Sequence, residues 1–151
     1  MYFKIFAGLF IFLLFPCFQS QDFKVISASM QSFESGREES GSGVHYRIRL
    51  VAMKNSNLIQ FKYVWLKSEK YEPKLLNKEK EGFSKGDTLL LTFTVWGPGS
   101  KQGTKRTTLD ASHNILSVKY ESLNVIEWQK RKKIYYEVLP EFTKLPARVY
   151  K

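Results

Sequence analysis

Val44–Ala52, VHYRIRLVA, alternates apolar and polar side chains from Val44 to Leu50. Val44, Tyr46, Ile48, Leu50 and Ala52 fall on one side, and His45, Arg47 and Arg49 on the other, which is the two-residue period of a half-buried strand. A helix would need its apolar residues three and four apart, and no run longer than two turns has that spacing anywhere in the chain. Aromatic residues make up 15% of the sequence, alongside abundant Val, Ile, Leu and Thr, a composition suited to pleated surfaces.

The same period continues on both sides. Upstream, Lys24–Met30 sets Ile26, Ala28 and Met30 on one face. Downstream, Asn55-Ser56-Asn57 supplies a turn, and Leu58–Leu66 returns with Ile59, Phe61, Tyr63 and Trp65 together. Leu58–Leu66 is expected to pair with Val44–Ala52 as an antiparallel hairpin, with Trp65 in the core. Tyr71–Leu76 contains Pro73, which confines it to an edge or a strand start. Asn77–Phe83 (NKEKEGF) is a solvated loop, and Lys85-Gly86-Asp87 is a turn into the long strand Thr88–Trp96. There Leu89, Leu91, Phe93 and Val95 face the core, and Trp96 points the other way. Gly97–Asn114 is a long loop, and Leu116, Val118 and Tyr120 mark a further strand. Leu123–Gln129 and Lys133–Leu139 form a final hairpin with Lys130-Arg131-Lys132 near its tip. The tail, Phe142–Lys151 with Pro146, is expected along a sheet. Seven or eight short strands separated by turn signals predict an all-β chain, a single antiparallel β-sandwich (Ig-like) over residues 21–151, with an open barrel as the alternative.

Residues 1–20, MYFKIFAGLFIFLLFPCFQS, have the layout of a secretory signal peptide: Lys4, an apolar run from Ile5 to Pro16, then a polar exit. The run is shorter than the roughly 20 residues a spanning helix needs. Cleavage after Ser20 would leave residues 21–151 with no transmembrane anchor and no cysteine, although Phe18 stands where a small residue is preferred. The alternative is lipidation at Cys17, for which Leu14 fits and Phe15 and Pro16 do not. Either route makes the protein exported: periplasmic, on the cell surface or secreted. An uncleaved anchor is the third reading.

Catalysis finds no foothold in the sequence. His45 lies between basic neighbours on the polar side of its strand, and His113 sits in the long loop near Asp110 and Ser112. Neither is a rigid base beside a nucleophile. The carboxylate pairs Glu38-Glu39 and Glu79/Glu81 lie in polar loops, without apolar neighbours to split their pKa values. With one cysteine and two distant histidines, no metal or other cofactor is expected. The chain is therefore not expected to be an enzyme.

Binding remains. The formal net charge is +10, and basic exported proteins meet anionic polymers. Candidate ligand-binding residues are Arg47 and Arg49 on their strand, the run Lys130, Arg131, Lys132 and Lys133, and Trp96, whose indole beside a loop can stack on a sugar ring or anchor a protein. Lys101, Lys105 and Arg106 add charge in the long loop. Nucleic acid is not expected as a partner, because no reading helix or aromatic RNA-binding motif accompanies the charge. The expected function is a non-catalytic binding or interaction domain of the cell envelope, with an envelope polysaccharide or protein partner. The alternatives are a structural accessory subunit of an envelope assembly, paired through its sheet edges, and a small hydrolase with a loop-borne site.

Ser40-Gly41-Ser42-Gly43 followed by Tyr46-x-Ile48-x-Leu50, then Val64-Trp65, Lys85-Gly86-Asp87-Thr88-Leu89, Ile134-Tyr135-Tyr136 and Phe142-Thr143-Lys144-Leu145-Pro146 carry a resemblance. Over most of residues 24–150 the chain resembles a family of small, uncharacterised exported β-proteins of Bacteroidetes. The Lys130-Arg131 hairpin tip, which lacks a glycine, departs from that pattern. The resemblance implies a secreted or envelope β-domain and no functional residues.

Overall fold

In the computed structural model, Val44–Ala52 lies within a strand whose alternation separates a core face from an outer face: Ile48, Leu50 and Ala52 are buried while Arg47 and Arg49 are exposed. The structure describes residues 22–35, 41–67, 69–76, 82–98 and 123–150. The leader with Cys17, the Glu38-Glu39 and Glu79/Glu81 loops, nearly all of Gly97–Asn114 and the Leu116–Tyr120 run lie outside them.

The strands are β1 (Phe23–Ser35), β2 (Ser42–Ala52), β3 (Ile59–Leu66), β4 (Glu69–Tyr71), β5 (Lys74–Leu75), β6 (Thr88–Trp96), β7 (Asn124–Lys130), β8 (Lys133–Val138) and β9 (Thr143–Tyr150). They form two sheets and no closed barrel, in the orders β5-β6-β2-β1-β9 and β4-β3-β7-β8. Without β9, these are the D-E-B-A and C′-C-F-G orders of an immunoglobulin-like sandwich. Ile48, Leu50, Leu89, Leu91 and Phe93 of one sheet pack against Val64, Ile126 and Trp128 of the other. Phe23 joins the sheets, its ring edge-on to Phe61 at 5.4 Å and to Trp128 at 5.0 Å.

One expectation is overturned and two are refined, since the Pro73 run does lie at sheet edges and the tail does lie along a sheet. The turn after Ala52 does not close a hairpin, because β2 and β3 belong to different sheets and β2 pairs with β1 and β6. Both runs bury one apolar face, and facing sheets satisfy that as well as pairing does. The Tyr71–Leu76 run is likewise divided between the sheets, β4 on one side of Pro73 and β5 on the other. The tail β9 pairs with β1 in parallel, whereas the other strand pairs described are antiparallel.

Bulges account for two misplaced side chains. Between Val25 and Ser27 the register with β2 shifts, which extrudes Ile26 to 49% exposure and turns Phe23 and Val25 inward. Between Phe61 and Tyr63 the register with β7 shifts at Lys62. Ile59 and Phe61 face the main core before it; Val64 and Leu66 face it afterwards. Trp65 is thereby buried on the outer side, in a separate cluster with Val125, Tyr63 and Tyr136.

The β7–β8 hairpin closes as expected through Arg131 and Lys132, with Lys130 opposite Lys133. Arg131 has φ 57°, a left-handed conformation costly for a side chain with a Cβ. Arg131→Gly should raise the stability by about 1 kcal/mol, read as a higher urea midpoint. A lower midpoint would mean that the Arg131 side chain stabilises the turn.

Candidate functional site

The outer face of the five-stranded sheet gathers charge and aromatic rings. Cross-strand register assigns its positions, because residues directly opposite one another project to the same side. At one end, Trp96, Gly43, Phe33 and Arg148 form a row across β6, β2, β1 and β9. Thr94, His45, Gln31 and Leu145 form the next. Lys74, Thr92, Arg47, Ser29 and Thr143 follow, and then Leu90, Arg49 and Ser27. Lys24, opposite Val51, ends the face. No carboxylate occupies these positions.

Phe33 is the floor of the aromatic end and is 5% exposed. His45 stacks on it at 4.3 Å with 17° between the planes, and Trp96 meets it edge-on at 5.3 Å. Tyr150 closes the other side at 6.2 Å. Only a residue without a side chain fits between Phe33 and Trp96, since a Cβ on Gly43 would lie 2.8 Å from two Phe33 ring carbons. His45 Nδ1 and Thr94 Oγ1 are hydrogen-bonded at 2.8 Å. Burial first, then the charges of Arg47 and Arg148, hold the His45 pKa below its ordinary value.

Arg148 reaches this face through a local irregularity. The register between β1 and β9 shifts between Gln31 and Phe33, with Pro146 and Ala147 in the gap. Pro146 has no N–H to give a ladder, and its carbonyl accepts a 2.7 Å hydrogen bond from Gln31 Nε2. That bond secures β9 where its pairing is interrupted, and Arg148 follows opposite Phe33.

The structure thus brings together three of the expected binding residues, Arg47, Arg49 and Trp96. It adds His45, Phe33, Arg148 and Tyr150. Trp96 points away from the core as expected, but it is half-buried against Phe33 and not freely presented. Lys130, Arg131, Lys132 and Lys133 stand apart at the β7–β8 tip in the other sheet. Lys130 is engaged there: its Nζ lies 2.5 Å from Oδ1 of the buried Asp22. Arg131 is shaped into the turn, and its carbonyl accepts from Gln129 Nε2 at 2.6 Å. The basic run is therefore two kinds of residue, a partly tied base with Lys130 and Arg131, and the exposed Lys132 and Lys133.

Phe33 was legible as a continuation of the alternation past Met30, through Gln31 and Ser32, with nothing to break it before Gly36. Arg148 and Tyr150 share a two-residue spacing in the tail, but their face depends on the Pro146 irregularity. Among the described residues, no group of three or more His, Cys, Asp or Glu is placed to hold a metal ion. No family model, curated protein or solved structure matches the chain.

Proposed function

We propose that this protein is an exported, non-catalytic binding domain of the cell envelope, of the kind implied by its resemblance to small exported Bacteroidetes proteins, and that it holds a glycan or protein partner on the outer face of its five-stranded sheet. One observation carries the reading. Arg47, Arg49 and Arg148 are exposed on a face whose strand-paired positions, among the described residues, include no acidic residue. An ordinary solvated surface intersperses both signs, which keeps it from attracting polyanions. A single-sign face backed by rigid strands draws in an anionic partner and orients it.

Sheet-edge assembly, the accessory-subunit alternative, has less support. Glu137 lies opposite Ile126 on the core side of edge strand β8, where burial pushes its pKa up. Pro146 interrupts edge strand β9. Inward charge and edge proline both discourage strand addition.

The test is retention of the full chain on an isolated envelope fraction. Arg47→Ala/Arg49→Ala should weaken retention at least about tenfold, the combined effect of two charges each contributing roughly 0.7 kcal/mol or more. Lys132→Ala/Lys133→Ala removes the same charge from the other sheet and should change retention less than about twofold. Equal losses in both variants would reduce the reading to unspecific attraction by a basic protein.

A further inference from the structure

We infer that the ligand of this face is a linear acidic polysaccharide, bound with its carboxylate or sulfate groups on Arg47, Arg49 and Arg148. The inference rests on the proposed binding face and names what that face takes.

Geometry argues for an extended chain that carries several charges. Arg47 and Arg49 are two residues apart on one strand, which sets their Cα atoms roughly 7 Å apart on the same side. Arg148 lies two strands away from β2 and level with Gly43, offset from Arg47 by roughly 10 Å across the strands and roughly 13 Å along them. Among the described residues no salt bridge engages any of the three, so their planar forks are available for bidentate contact with an acidic group. Their neighbours suit a sugar. Arg47 stands between Thr92 and Ser29, and Ser27 lies opposite Arg49. These side chains are short, so they leave the guanidinium groups standing proud of the sheet, and their hydroxyls match the donor and acceptor pattern of a saccharide.

Single-stranded nucleic acid is the competing polyanion, and the face suits it less. Such ligands need open aromatic platforms on which successive bases stack. Here the ring in the middle of the aromatic cluster, Phe33, is already covered by His45. The rest of the sheet centre carries arginines, serines, threonines and Leu90 in place of rings.

Proton linkage follows from the same arrangement. His45 is faced by Arg47 from its own strand and by Arg148 from β9, while Thr94 of β6 and Phe33 and Gln31 of β1 are neutral. An acidic ligand neutralises both arginines, so the His45 pKa is higher in the complex than in the free protein. Binding is then strongest below the free-protein value and weakens as pH rises through the value in the complex.

The test titrates the full chain calorimetrically with a polygalacturonate oligosaccharide, dextran of equal length, and single-stranded DNA of matched charge. Polygalacturonate should bind, dextran should not, and DNA should bind at least about tenfold more weakly. Arg47→Lys, which keeps the charge and loses the fork, should weaken polygalacturonate binding about threefold or more. Lowering the pH from about 8 to about 5 should strengthen it, and His45→Gln should remove that gain. DNA binding as tightly as polygalacturonate, with Arg47→Lys neutral, would overturn the polysaccharide in favour of any polyanion. No binding to polygalacturonate, with envelope retention still lost in Arg47→Ala/Arg49→Ala, would overturn the ligand class and leave the face. Retention unaffected by that double variant would remove the face itself.

Discussion

Trp65→Phe should lower the folding free energy by about 3 kcal/mol more than Trp128→Phe, although the chemical change is the same. Both tryptophans are buried, and both substitutions shrink a ring that packs well, so the lost-volume cost is shared. The indole N–H separates them. Trp65 Nε1 donates to Glu127 Oε2 at 2.9 Å, and Glu127 is itself only 4% exposed. Removing that donor takes a charge-assisted hydrogen bond from a carboxylate out of reach of bulk water. Trp128 Nε1 is buried in the main core with no hydrogen-bond partner among the described residues, so its removal relieves an unmet donor. The Trp128 ring is retained by its stacking on Tyr135 at 4.5 Å, a contact phenylalanine preserves in part. Urea unfolding of the two variants gives the comparison directly. Equal losses would mean that Glu127 does not depend on the Trp65 indole.

Gly43→Ala should cost about 2 kcal/mol and disturb the binding face at the same time. Its new Cβ would stand 2.8 Å from Phe33 Cε1 and Cζ and 2.8 Å from the Val95 carbonyl oxygen. The Phe33 ring can swing only by pushing His45 and Trp96, which pack against it. The carbonyl belongs to the central pairing of β2 with β6 and has little freedom to retreat. The lower backbone entropy of alanine in the unfolded chain returns under about 1 kcal/mol, too little to reverse the sign. A lowered denaturation midpoint with altered tryptophan emission is the expected result. An unchanged midpoint would show that the Phe33 cluster adapts, and that its geometry does not specify the aromatic end of the face.

The candidate face was partly legible. Arg47 and Arg49 could be placed on an outer surface because an unbroken two-residue period allows only one assignment of sides. Trp96 followed from the same logic in β6. Phe33 could be placed by following the alternation past Met30 to Ser35, whereas Arg148 was hidden by an irregularity, the β9 shift at Pro146. The basic run at Lys130 reads as one patch in sequence, yet Lys130 is held by Asp22, just ahead of β1. An ion pair so distant along the chain leaves no local trace.

By itself the sequence determined that this chain makes strands, which side of β2 and β6 meets the core, where the final hairpin turns, and that the chain is basic. Each of these depends on residues within a few positions of one another, through backbone sterics and the pleat. Tertiary structure alone decided that β2 and β3 part into facing sheets, that β9 runs parallel to β1, and that Trp65 turns outward while Trp128 stays in the core. A one-residue bulge reverses every side chain after it and hardly changes the local pattern, so its position is set by the partner strand and the packing across the sandwich.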